Sequence, residues 1–384
     1  MTLSRAPRPD PRTGRTTVHG SRHRGLVVLL ALVVAATATG CGLRLQTPPP
    51  APLVPDEVEV VRQRATADAV ALEVLATSAA GHTTDATVAA LLGTVTDVCE
   101  QHLVALGGIY EPTPEATAAT APATAAPDGT VPEDAPDGTV PEDAVTDDTV
   151  PGAAPTPDPS PSPAQADAVD PAAVVALLVE TAASAQADAA AVPDGPLARL
   201  LASVATARML VADALRVAAG LPLDGLDPAL TAPFEVPDTV PGVPATALVT
   251  LVQSEDAIGM AWEIAAARTA DDPRAYAEQR AEQHRERAQH WAELGAVQGT
   301  GLDPRRSSYA LPAALTATAS DPAAVTTALA DLEVQLAQSY ASLVAAADPD
   351  GRSALVDALR DASRASTRLT GVIPAFPGLP EHAA

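Results

Sequence analysis

The sequence predicts an all-α chain built as two tandem four-helix bundles, and three observations carry that reading. The first is composition. Of 384 residues 47% are hydrophobic, but only eight are aromatic and the supply is mostly Ala, Val and Leu. Ala and Leu are strong helix formers, and thin Ala-rich cores suit closely packed helices better than sheets. The second is spacing. Val325, Leu329, Leu332, Leu336, Tyr340 and Leu343 follow the three-and-four rule, as do Val58, Val61, Ala65, Leu72 and Leu75. No alternating run of strand character occurs. The third is internal similarity. QHLVALG at 101–107 resembles QHWAELG at 289–295, DPAAV recurs at 170–174 and 321–325, and AAAVPDG at 189–195 echoes AAADPDG at 345–351. The order is the same in both halves, as a duplicated bundle requires.

Taken in order, the chain opens on a leader. Arg5, Arg8, Arg12, Arg15, Arg22 and Arg24 precede the apolar run Leu26–Thr39, then Gly40 and Cys41. A basic segment, a short apolar segment and a small-residue site describe a secretory signal peptide over 1–40. The apolar run has 14 residues, short of the ~20 that span a bilayer as a helix. The tetrad Ala38-Thr39-Gly40-Cys41 resembles the bacterial lipobox, with Ala where Leu is usual. That resemblance implies lipidation of Cys41, which would become the new N-terminus. Residues 41–55 include TPPPAPLVP, a stiff extended tether.

Eight helices are predicted at about 56–80, 84–108, 171–192, 196–219, 246–270, 273–296, 322–347 and 352–370. Asp170-Pro171, Asp272-Pro273 and Asp321-Pro322 each offer an N-cap Asp before an N1 Pro. The first bundle spans 56–220, a linker 221–245, and the second bundle 246–384. Residues 111–168 carry twelve acidic and no basic residues, and APDGTVPED occurs twice in tandem at 126–134 and 135–143. Such a segment cannot bury enough apolar surface to offset its ordering entropy, so this acidic Pro/Ala-rich insertion is expected to be disordered. Within each half, helices one and two are closely joined, as are three and four, while the connection from two to three is long. That is the ferritin-like connectivity of a four-helix bundle.

Charge excludes one class of partner. The chain has no Lys, 23 Arg and a net charge of −25. Residues 1–40 hold six Arg and one Asp, so the remainder carries 17 basic against 47 acidic residues. A body this acidic is repelled by nucleic acid. With Cys41 lipidated, Cys99 has no partner for a disulfide, and its place on an apolar stripe reads as a buried small hydrophobe.

The second half resembles an actinobacterial domain-of-unknown-function lipoprotein family with a ferritin-like fold. The resemblance rests on Glu255, HRERAQHW at 284–291, Tyr309-Ala-Leu-Pro312, Leu332-Glu333 with Tyr340, PAFPGLPE at 374–381, and LRLQTPPPAP after Cys41. It implies fold and export but no activity. The family usually carries a Glu-His pair near residue 255, and here Asp256 stands at the His position.

A di-metal bundle needs Glu from two helices and Glu-x-x-His from the other two. Glu255 and Glu333 meet the first demand. The second fails: Ala281 precedes His284 by three residues, Arg287 precedes His290, and the last helix offers only Asp357 and Asp361. The first half has Cys99 three residues before His102, and Asp213 alone on its fourth helix. No metal or other cofactor is therefore expected. Instead Arg280, His284 and Arg287, which share a helix face with Trp291, are expected to form a buried polar cluster with Glu255 and Glu333. Charged hydrogen bonds there would offset the cost of burying both acids. No GxSxG, P-loop, HExxH or EF-hand spacing occurs. The expected function is a non-catalytic, membrane-anchored interaction or scaffold module of the cell envelope, with an envelope protein as partner. The alternative is a ferritin-like metal or small-molecule binder.

Overall fold

A computed structural model describes residues 55–109, 170–222, 234–318 and 321–382. The leader, Cys41, the tether up to Val54 and the acidic crossover 111–168 lie outside the described residues. Among the described residues there are eight long helices: α1 (Glu57–Ala80), α2 (Ala86–Ala105), α3 (Pro171–Ala191), α4 (Gly195–Ala218), α5 (Ala245–Ala266), α6 (Asp271–Leu294), α7 (Pro322–Ala346) and α8 (Pro349–Thr370). A single helical turn at Ala313–Thr316 and a 3-10 turn at Pro380–His382 complete the elements, and no strand occurs among the described residues.

Local chemistry explains the helix starts. Asp170 and Asp321 accept backbone N–H bonds from Ala172 and Ala323, each ahead of an N1 proline. Asp194 does the same for Leu197 at 2.7 Å. Asp272-Pro273 behaves differently. α6 begins at Asp271 after Ala270, with no side-chain cap, and both Asp271 and Asp272 lie in its first turn. There the carboxylates face the positive end of the helix dipole.

Short loops make four antiparallel hairpins, α1–α2, α3–α4, α5–α6 and α7–α8. These stack in the order α1–α2, α3–α4, α7–α8, α5–α6. In the first half α1 packs on α3 and α2 on α4, while in the second α5 packs on α7. At the centre α7 and α8 pack on α4, and α8 also packs on α3. The two halves thus share their inner hairpins instead of hanging from a linker. One core runs through both, joining Ala198 and Leu201 of α4 to Leu336 and Ala341 of α7 and Leu355 and Leu359 of α8. A second cluster fills the outer part of the first half around Leu72, Leu92, Leu178 and Leu215.

Small residues permit this approach. A Cβ at Gly195 would run into the carbonyl oxygen of Ala345 on α7. Arg352 of α8 donates to the carbonyls of Ala189 and Val192 at the end of α3, satisfying helix-terminal acceptors. Gln186 bonds Asp357 at 2.8 Å, and Arg364 pairs with Asp213 at 2.9 Å. Residues 234–244, expected as linker, are anchored at particular points. Phe234 is buried against Trp291 and Tyr340, and Pro241 accepts the Asp348 N–H.

The chain after α8 crosses back to the first half as a strap. His102 donates to Ala375 O at 2.8 Å, Ser203 to Pro377 O at 2.8 Å, and Arg199 pairs with Glu381 at 2.6 Å. Among the described residues α3 is the one helix long and apolar enough to cross a membrane. It packs against α1, α4 and α8.

Candidate functional site

All four helices of the second half contribute to one buried polar network. α5 places Glu255 on the face that also buries Val252 and Trp262. α6 places Arg280, His284, Arg287 and Trp291 one turn apart on its inward face. α7 supplies Glu333 and Tyr340, and α8 supplies Asp361. Glu255, His284 and Glu333 are 0% exposed, Arg280 4% and Arg287 3%, so the guanidiniums do not reach out to solvent.

His284 is the centre. Its Nδ1 donates to Glu255 Oε2 at 2.5 Å and its Nε2 to Glu333 Oε1 at 3.0 Å. Arg280 donates to Glu333 Oε1 at 2.9 Å and to Asp361 Oδ2 at 2.8 Å. Trp262 donates its ring N–H to Glu333 Oε1 at 2.9 Å. Tyr340 donates to Glu255 and accepts from Trp291 at 3.2 Å. Arg287 takes a different partner from the one expected. It reaches neither glutamate, pairing with Asp361 at 2.7 Å and donating to the Phe234 carbonyl.

Three carboxylates therefore face two guanidiniums and one imidazole. Neutrality requires His284 as imidazolium, which also lets both ring nitrogens donate. Burial alone would lower its pKa, but the charges of Glu333 and Glu255 reverse this and hold it above the ordinary value. Glu333 shows the converse. Burial opposes ionisation, and Arg280 and His284 overcome it, holding the carboxyl down to about 2. Burial and the neighbouring Glu255 charge keep Tyr340 protonated, with its pKa far above the usual phenol value.

This donor set does not fit a metal. A histidine ligand offers a neutral nitrogen lone pair. Here both nitrogens are turned to carboxylates, and Arg280 Nη2 lies 3.1 Å from His284 Nε2. The guanidinium supplies the positive charge that a cation would otherwise bring. No group of three or more His, Cys, Asp or Glu arranged to hold a metal ion occurs among the described residues.

Asp256 anchors the long crossover of the second half. It accepts from Arg285, from Arg306 N–H at 3.3 Å and from the Tyr309 hydroxyl at 2.5 Å. Burial first, then the Asp256 carboxylate, push Tyr309 up to about 12. The Tyr-Ala-Leu-Pro motif thus fastens a loop.

The first half buries charge with far less compensation. Arg208 is 0% exposed and donates to the carbonyls of Thr181 and Ala65, with Asp68 3.6 Å away. Burial, then the Arg208 charge, push His102 down to about 3, so it stays neutral. Cys99 is buried, its thiol pushed up to about 11 by burial. Because a buried ion pair returns little against its desolvation, replacing both partners at once, Arg208→Met with Asp68→Leu, is expected to hold stability or raise it by up to about 4 kcal/mol. Urea unfolding followed by circular dichroism measures this, and a loss above roughly 1 kcal/mol would contradict it.

The fold and network define a class: an all-helical bundle protein whose polar centre neutralises itself. Residues 247–381 match the model of a family described as "Domain of unknown function (DUF4439)". That stretch holds Glu255, Arg280, His284, Arg287, Glu333 and Asp361, together with most of the strap. No curated protein and no solved structure matches the chain.

Proposed function

We propose that the protein is a non-catalytic interaction or scaffold module of the cell envelope, exported and tethered by lipid on Cys41. The second half is read as a ferritin-like bundle whose metal space is refilled by arginine and imidazolium. The observation that carries the reading is the charge balance of the network. Glu255, Glu333 and the partly buried Asp361 are matched by Arg280, Arg287 and the His284 imidazolium, which suits a rigid scaffold better than turnover. The basic leader, the 14-residue apolar run and the Cys41 tetrad support export and anchoring. Because lipid on Cys41 and a Pro-rich tether would hold the bundles off the membrane, the partner is read as another envelope protein and not nucleic acid.

Labelling producing cells with a radioactive fatty acid tests the anchor. The wild-type chain is expected to take up label, and globomycin to accumulate its larger precursor. Cys41→Ser should take up no label. Wild-type protein that carries no label and is processed equally with and without globomycin would overturn the anchored reading.

A further inference from the structure

A cavity of about 990 Å³ opens between the two halves, walled by α2 and α4 on one side and α6 and α8 on the other. This lies at the upper end of the ~300–1,000 Å³ usual for ligand sites. Its two walls differ in chemistry. Leu91, Leu210, Ala214 and Val217 form an apolar strip on the α2–α4 side, which also carries Asp213 and Arg216, and Val217 is 69% exposed at the rim. Arg280, Arg364 and Arg368, with Tyr276, line the α6–α8 side.

Positive charge here is out of character for a chain of net charge −25. Arg280 and Arg364 hold acids of the wall, Asp361 and Asp213. Arg368 holds none. Its guanidinium carbon lies over the Tyr276 ring, 4.2 Å from the centroid, with no hydrogen bond or ion pair among the described residues. A guanidinium held over a ring by cation–π attraction keeps N–H donors for a carboxylate or phosphate. Arg216 Nε, Arg280 Nε and Thr367 Oγ1, all buried side-chain atoms of residues on the walls, have no hydrogen-bond partner. Buried donors without partners are rare and mark a place where another group completes the set.

We propose that this cavity binds an amphipathic anion: a single alkyl or acyl chain with a carboxylate or phosphate head. The head pairs with Arg368, and the chain lies along Leu91, Leu210, Ala214 and Val217. The proposal goes beyond a scaffold role and is independent of the tether, since no residue of the cavity lies near Cys41 in sequence.

Titration calorimetry on full-chain Cys41→Ser protein, free of detergent, tests it with dodecanoate, dodecyl phosphate, dodecanol and inorganic phosphate as probes. One or both amphipathic anions are expected to bind saturably at one site. Affinity should rise roughly fourfold per methylene from octanoate to dodecanoate. Dodecanol and inorganic phosphate should bind at least about tenfold more weakly. Binding of the carboxylate alone identifies a fatty acid, and of the phosphate alone a phosphomonoester lipid. Arg368→Glu, at an exposed position, should weaken binding by at least about tenfold. Ala214→Trp should block the apolar wall, with folding checked by circular dichroism. No saturable binding, equal binding of dodecanol, or indifference to Arg368→Glu in folded protein would overturn the proposal. A failed anchor would leave these results unchanged.

Discussion

Replacing His284 by leucine is expected to cost about 3–5 kcal/mol, the penalty of leaving a buried charge unpaired. Against a typical total of ~5–15 kcal/mol this is a fifth of the stability or more. The cost falls mainly on Glu255. Glu333 keeps Arg280 and Trp262, whereas Glu255 keeps only the Tyr340 hydroxyl. The penalty should therefore shrink in a Glu255→Gln background, where no charge is stranded. Urea unfolding of the two single variants and the double variant measures the coupling. A full-sized penalty that persists in the Glu255→Gln background would show that His284 acts through packing and not through charge. The network also sets a pH window. Because the folded pKa of His284 is raised, its contribution is complete below its unfolded value of ~6.5 and is lost as pH rises through the folded one. Glu333 has the opposite sign. Its contribution is present above ~4.5 and is lost as pH falls toward about 2. Wild-type stability should peak between these limits, and His284→Leu should remove the alkaline decline.

Much of this was legible in the sequence because periodicity is local. The stripe through Leu329, Leu336 and Tyr340 and the proline-capped starts at Pro171 and Pro322 require no knowledge of neighbours. The gathering of Glu255, Arg280, His284, Arg287 and Glu333 followed from facing stripes and from the cost of burying acids alone. Asp361 escaped, though a signal existed. Two arginines and a protonated histidine against two glutamates leave one positive charge over, and α8 carries few acids to take it. The stacking of hairpins could not be read, because it depends on which polar residues meet across two halves. Gln186, Asp357, Asp213 and Arg364 look like ordinary helix-surface residues until their partners are known. His102 and His290 align in sequence, yet His102 is buried against the strap and His290 is exposed.

The strap yields the second large effect, at Gly378. This residue holds φ +78°, and an added Cβ would lie 2.7 Å from Ala341 Cβ, 2.8 Å from Leu359 Cδ1 and 2.9 Å from Ala337 O. Gly378→Ala meets two penalties together. Left-handed backbone costs a residue with a Cβ roughly 1–2 kcal/mol, and forcing a methyl into a filled site costs about 1–3 kcal/mol more. A carbonyl of α7 is one of the clashing atoms, so the neighbours cannot simply rotate away. The expected loss is about 2–5 kcal/mol by urea unfolding. The strap can avoid the clash only by lifting, and lifting breaks the bonds from Ser203 and His102 to the carbonyls beside it. Limited proteolysis should then cut near Pro374–Pro380 in the variant before the helices. Ser203→Ala removes one of those bonds without the clash and should cost only about 1 kcal/mol. If Gly378→Ala matches the parent in both assays, the strap does not bind the halves together. The shared core of α4, α7 and α8 would then have to hold them alone.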